Sequence, residues 1–260
     1  MPPVSLHDRD EIAGLFAADP ALHVYELGDL DDLPWPHTVW FADADRQAVA
    51  LLYVGNPLPI LVGIVRPDRA EALRALITEL LPSLPRRFYA HLTGGVPEAL
   101  GSAYLAEDHG VHRKMALTYP AAMAGVDTSE VQLLGPQDLD DLRALYAVSY
   151  PGGWFDPRML DVGPYVGIRR GALLCTVAGV HTFAPAWGVA ALGNIATHPD
   201  YRGQDLATTA VAALCQRLLA TVEHIGLNVH ADNVPALACY RRLGFTPVLD
   251  YSEFTFTARP

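Results

Sequence analysis

Apolar positions along this chain follow two periods, and the switches between them predict its elements. Within Asp68–Leu81, the residues Ala72, Leu73, Leu76 and Leu80 recur at a spacing that puts them on one face of a helix. Asp138–Ser149 repeats the pattern with Leu139, Leu142, Leu145 and Tyr146. Between such stretches lie runs rich in Val, Leu and Tyr, punctuated by Asp, Gly, Asn and Pro, which read as strands. The first half is expected to run helix Ser5–Ala17, helix Ala21–Leu30, strands His37–Ala42, Gln47–Gly55 and Pro59–Val65, then helix Asp68–Leu81. Strand Arg87–Leu92, a short helix Val96–Tyr104 and a closing strand Val111–Tyr119 follow. The second half repeats this order: strand Val131–Leu134, helix Asp138–Ser149, strands Pro164–Ile168, Gly171–His181 and Val189–Thr197, and the long helix Arg202–Thr221. It ends with strand Leu227–His230, helix Val234–Leu243 and a final pair, Phe245–Val248 with Tyr251–Phe256. Pro120–Ser129 is rich in small residues and lacks periodicity, so it reads as a linker. The expected organisation is α/β, with domains 1–122 and 123–260. The halves share element order, not a letter-by-letter repeat.

Composition narrows the function classes. Hydrophobic residues make up 51% of the 260 positions and charged ones 18%, enough to bury a substantial core. The formal net charge of −11 argues against a nucleic-acid partner, which would need a basic stripe. No apolar run reaches the length of a membrane span, and the N-terminus lacks the basic and apolar regions of a secretory signal. Cys175, Cys215 and Cys239 lie in apolar segments without metal-ligand spacing, so buried reduced thiols and no metal are expected. The expected compartment is the cytoplasm.

The chemistry concentrates in Val189–Ala207, VAALGNIATHPDYRGQDLA. A strand ends in a turn with Pro199 and Asp200, and the chain enters a helix through Arg202, Gly203, Gln204, Asp205, Leu206 and Ala207. Backbone N–H groups converge at a helix start, where the helix dipole is positive. A chain with few basic residues can hold a pyrophosphate there. Gly203 permits an unusual φ or close approach, and Arg202 could add a charged donor.

This segment resembles motif A of the GCN5-related N-acetyltransferases (GNAT), whose pyrophosphate loop reads Gln/Arg-x-x-Gly-x-Gly/Ala; Arg202 and Ala207 fit its outer positions. Downstream, Asn233, Ala236, Tyr240, Gly244 and Phe245 resemble the family's Asn-x-x-Ala…Tyr-x-x-x-Gly-Phe motif. The clear match covers about 171–256. The first half matches in element order alone, and its equivalent turn, Val65–Ala70, lacks glycine. The resemblance implies two tandem GNAT-like domains, each a mixed, mostly antiparallel sheet flanked by helices, with a degenerate N-terminal half. It implies acetyl-CoA as co-substrate. Ile195, Ala196 and Thr197 would pair with the pantetheine arm, and the N–H groups of Gly203 to Thr208 would face the pyrophosphate. Asn233 would bind near the acyl end, or cap the helix that follows. Tyr240 would protonate the departing thiolate, or serve as a packed aromatic.

Two positions depart from the family. Asp205 replaces the central loop glycine. Its carboxylate would either repel a pyrophosphate or turn outward and N-cap the helix. Ala191 stands near the place where many relatives carry a basic glutamate. His181 is the nearest substitute, with His198 and His230 as further imidazoles. Trp154, Phe155, Met159 and Tyr165 form the expected acceptor wall, with Asp156 or Asp161 orienting a cationic nitrogen. The same aromatics also fit a packed lid. Gly28–Asp32 with Trp35 is a further acidic candidate. The expected activity is acetyl transfer to a primary amine of a small molecule. Two alternatives are a non-catalytic acyl-CoA-binding or sensing protein, and a scaffold that has lost the ligand.

Overall fold

The computed structural model describes residues 2–151 and 155–260. The chain forms two compact units that interleave in sequence. The first comprises Met1–Lys114, Val229–Asn233 and Pro247–Pro260; the second comprises Met115–Asn228 and Val234–Thr246. The division therefore differs from a single cut after residue 122.

In the first unit the strands are β1 (Val4–Leu6), β2 (Thr38–Ala42), β3 (Val49–Tyr53), β4 (Ile60–Gly63), β5 (Arg87–Leu92) and most of β6 (Tyr104–Leu117). Between β5 and β6 in the sheet lies β12 (Phe245–Ala258), which pairs antiparallel with β5 from Ser252↔Leu92 to Thr257↔Arg87. That pairing returns residues 247–260 to the first unit. The helices are α1 (Arg9–Phe16), α2 (Val24–Gly28) and α3 (Ala70–Leu80). Leu73, Leu76, Ile77 and Leu80 of α3 are buried against Phe88, Ala90, Leu92 and Phe256. Each such side chain contributes about 1.5–3 kcal/mol of burial.

Strand alternation sends the other face of β5 and β12 to a polar cluster. There Glu253 accepts from Tyr251 (2.7 Å) and Tyr89, with His91 and His112 at 3.4 and 3.6 Å. Nearby, buried Glu26 of α2 meets Lys114 at 3.7 Å and His23 at 3.2 Å. Burial alone would raise the Glu26 pKa, but Lys114 and His23 bring it down to about 2. Asp29, half-buried just after α2, is pushed up to about 8 by burial and by the Glu26 charge, against the pull of Lys114.

The second unit orders its strands β11-β10-β9-β8-β7: β7 (Gln132–Leu134), β8 (Tyr165–Arg170), β9 (Leu173–Ala184), β10 (Val189–Thr197) and residues 224–228 of β11 (His224–His230). Its helices are α4 (Leu139–Ser149), α5 (Met159–Val162), α6 (Leu206–Leu218) and α7 (Val234–Arg242). Among the described residues β4 pairs parallel with β5, and β10 with β11. The pairs β1–β2, β2–β3, β3–β4, β5–β12, β7–β8, β8–β9 and β9–β10 are antiparallel.

Three expected elements change. Val4–Leu6 is a strand where a helix was expected to begin. The closing strand of the first half, expected over Val111–Tyr119, starts at Tyr104 and passes through Gly110 at φ 87°. The final pair is one strand, because Asp250 sits in a bidentate bond from Arg113 of β6, at 2.7 Å for each oxygen, and forms no turn. Cys175, Cys215 and Cys239 are buried and unbridged. Among the described residues no helix is long and apolar enough to cross a membrane. Nor does any group of three or more His, Cys, Asp or Glu among them stand where it could hold a metal.

Candidate functional site

The two parallel strand pairs end differently, and that difference makes the site. In the first unit the β4–β5 ladder runs to Gly63↔Leu92. Beyond it Thr93 keeps the strands joined: its N–H donates to Gly63 O, its hydroxyl donates to Val65 O, and its Oγ1 accepts from Val65 N–H. In the second unit the β10–β11 register runs from Val189↔His224 to Leu192↔Leu227 and extends no further among the described residues. Gly193–Thr197 continue as strand, paired with β9 across a register shift between Gly193 and Ala196.

Asn194 sits in that shift with φ 54°, a left-handed conformation that favours Gly, Asn or Asp. It is held from three sides. The Tyr146 hydroxyl of α4 donates to Asn194 O at 2.9 Å, while Asn194 Nδ2 donates to Tyr165 OH at 3.0 Å and to Met159 Sδ at 3.1 Å. The Tyr165 hydroxyl donates to Val180 O at 3.2 Å. Burial pushes the Tyr165 pKa up to about 12 and raises that of Tyr146 as well, so both keep their protons at neutral pH. Thr176 Oγ1 donates to Ala196 O on the β9 side.

The strand then turns through Pro199–Tyr201, with Asp200 N–H donating to His198 Nδ1. The loop that follows has left-handed residues at Gly203 (φ 73°) and Asp205 (φ 56°). α6 begins at Leu206, and Thr209 N–H bonds to Asp205 O at 3.0 Å. The N–H groups of Leu206, Ala207 and Thr208 precede that bond and have no carbonyl of the helix to meet. They gather at the positive end of a thirteen-residue helix.

Asp205 occupies the N-cap position, but its side chain caps nothing. This corrects the capping expectation. Side-chain caps use an extended backbone, whereas Asp205 is left-handed. Its Oδ1 accepts instead from Arg242 Nη2 of α7 at 2.6 Å, which with the Arg242 charge lowers the Asp205 pKa. Arg242 Nη2 also donates to Thr208 Oγ1 at 2.9 Å, on the first turn of α6. Arg202 is extended, and its guanidinium bonds Thr197 O (3.4 Å) and Ser149 O (3.3 Å).

The remaining expected residues divide by burial. Ile195 and Thr197 are half-buried and Ala196 is buried; Gly203, Gln204 and Arg202 are exposed. Tyr240 is buried on α7, its ring edge-on to Phe245 at 5.9 Å. Asn233 immediately precedes α7 and its N–H donates to His230 O. His181 is exposed on β9 beside Gly193, where a Cβ would come within 2.9 Å of the His181 Cβ. Ala190, Ala191 and Leu192 are buried and apolar.

Of the acceptor wall, Trp154 lies outside the described residues. Phe155 is half-buried, its ring tilted by 41° against that of Tyr146 at 4.9 Å. Met159 and Tyr165 are buried, and the Tyr165 ring lies flat over Gly179, where no Cβ would fit. Both accept hydrogen bonds from Asn194 Nδ2. Asp156 is engaged by Arg158 through both oxygens. In the first-half acidic stretch, Asp32 pairs with Arg9, which lies over Trp35. Asn194, Tyr146 and Arg242 were not singled out from sequence; the Gly193-Asn194 pair inside a strand was the available sign of a bulge.

Residues 139–245 match the acetyltransferase (GNAT) family model. A mycothiol acetyltransferase of Clavibacter michiganensis subsp. michiganensis (strain NCPPB 382) is 34% identical over 109 residues, which span 42% of this chain and 31% of that protein. Two solved structures share the fold along nearly the whole chain. A tandem GNAT protein from the clavulanic acid biosynthesis pathway covers 99% of this chain and 98% of its own, at TM-score 0.58 and 19% identity. A Drosophila protein covers 98% of each at TM-score 0.72 and 14% identity. Residues 139–245 thus resemble the GNAT family, and the chain shares its fold with a tandem GNAT protein.

Proposed function

We propose that this protein transfers the acetyl group of acetyl-CoA to a primary amine of a small molecule, with the coenzyme bound by the second unit. The observation that carries the reading is the early end of the β10–β11 ladder at Leu192, directly ahead of a loop with two left-handed residues and a helix start. The released strand offers backbone groups of Ile195, Ala196 and Thr197 to a pantetheine arm. The N–H groups from Gly203 to Thr208 suit a pyrophosphate. In the first unit Thr93 bridges the strands past the end of β5, and among the described residues none between β4 and α3 is left-handed, in keeping with its reading as the degenerate half.

In this reading the amine lone pair attacks the thioester carbonyl carbon and a C–N bond forms. The tetrahedral intermediate collapses with loss of the C–S bond, and the thiolate takes a proton from the Tyr240 hydroxyl. The proton shed by nitrogen passes to His181 or to water. Asn233 binds near the acyl end, and much of the rate comes from holding amine and thioester together. The name of the Clavibacter relative supports acetyl as the group transferred.

A second reading, an acyl-CoA-binding or sensing protein without turnover, is favoured by buried apolar Ala191 and by Asp205 in the loop. Isothermal titration with acetyl-CoA at low and moderate salt, followed by thiol release across an amine panel, separates the readings. Micromolar binding with release supports transfer. Binding without release across the panel supports the second reading, and no binding by folded protein removes both.

A further inference from the structure

Asp205 and Arg242 together form an arrangement that the resemblance does not account for. Gly203 and Asp205 both adopt the left-handed conformation, so the loop keeps the shape of a two-glycine turn while carrying a carboxylate at its centre. A bare carboxylate there would oppose an anionic ligand at the helix start. It is not bare: Arg242 reaches from α7 to within 2.6 Å of it and to 2.9 Å of the Thr208 hydroxyl. The guanidinium thus also touches a side chain of the first turn of α6, the turn whose N–H groups are those of Leu206, Ala207 and Thr208. Both partners are largely exposed, at 57% and 68% of their side chains, and exposed pairs of this kind are weakly held. The pyrophosphate as a whole and the 3′-phosphate monoester each carry more charge than one carboxylate, and phosphate oxygens match the planar fork of arginine.

We infer that Arg242 is a coenzyme-phosphate ligand, and that Asp205 stands in for the phosphate until the coenzyme arrives. Binding moves Arg242 from the Asp205 carboxylate to a phosphate oxygen. The inference rests on the coenzyme-binding reading above and adds a residue and an exchange to it. The exchange has a thermodynamic signature. In the parent protein, part of the Arg242–phosphate interaction goes into breaking the Arg242–Asp205 pair. With Asp205→Asn nothing has to be broken, so removing Arg242 costs more in that background.

The test is titration of the full chain with acetyl-CoA and with 3′-dephospho-CoA, for the parent, Asp205→Asn, Arg242→Gln and the double variant. Asp205→Asn should tighten acetyl-CoA binding. Arg242→Gln should weaken it about tenfold in the Asp205→Asn background and by a smaller factor in the parent. A factor that persists with 3′-dephospho-CoA assigns the contact to the pyrophosphate; one that disappears assigns it to the 3′-phosphate. Equal affinity of Asp205→Asn and the double variant would overturn the inference while leaving the coenzyme reading intact. Absence of acetyl-CoA binding in every folded variant would overturn that reading as well. Both side chains are exposed, and thermal unfolding of each variant confirms the fold.

Discussion

At the scale of single residues, the site depends on side chains that hold the backbone in unusual conformations. Asn194 is left-handed within a strand, and the tyrosine hydroxyl of Tyr146 fixes its carbonyl from α4. Tyr146→Phe removes that one bond and keeps the ring packed, which should cost about 1 kcal/mol of stability. Its larger effect should fall on the strand edge. Affinity for acetyl-CoA is expected to drop several-fold while affinity for 3′,5′-ADP, which lacks the pantetheine arm, stays unchanged. Equal losses for both ligands in a titration would show that Tyr146 supports the unit as a whole and not the edge. These residues could not be read from sequence for a simple reason. Tyr146 and Asn194 are 48 positions apart, Asp205 and Arg242 37, and nothing local marks either pairing. The loop itself was legible, because glycine and small residues are what a close-approach turn requires. The fate of the Asp205 carboxylate was not, since φ decides where it points.

At the scale of elements, the same strand–loop–helix–strand succession gives a sealed ladder in one unit and an open one in the other. Periodicity found nearly all the elements, because burial of one face dictates it. It could not say where a ladder stops, since Thr93 seals the first unit through a hydroxyl and Asn194 buckles β10 through its backbone. The polar face of β5 and β12 is hidden in the sequence for a related reason: alternation marks a face as non-core and leaves open whether solvent or other side chains cover it. That face yields a pH prediction. The Asp29 pKa is raised from 3.8 to about 8, by burial and by Glu26, with Lys114 opposing. The stability tied to its protonated form is therefore complete below pH 3.8 and is lost as pH rises through about 8. Asp29→Asn, always neutral, should match the parent near pH 4 and exceed it in melting temperature by pH 8.5. A gap that is constant or reversed across that range would mean Asp29 ionises freely in the fold.

At the scale of the whole molecule, the two units are threaded through each other along the chain without being divisible at one peptide bond. Residues 247–260 complete the first unit's sheet between β5 and β6, although the chain has meanwhile built most of the second unit. Deleting 247–260 would strip β5 of the six-residue register that β12 supplies and expose its edge. The shortened protein should lose the first unit's cooperative unfolding and become prone to association, as read by calorimetry and light scattering. Retention of both would mean that β12 is dispensable to the first unit. The threading also bears on biogenesis. A ribosome delivers β5 and β6 long before β12, so the first unit emerges with a slot in its sheet and must wait. A part of the chain made early is thus finished by a part made much later, and an mRNA truncated between the two would spoil the half already synthesised.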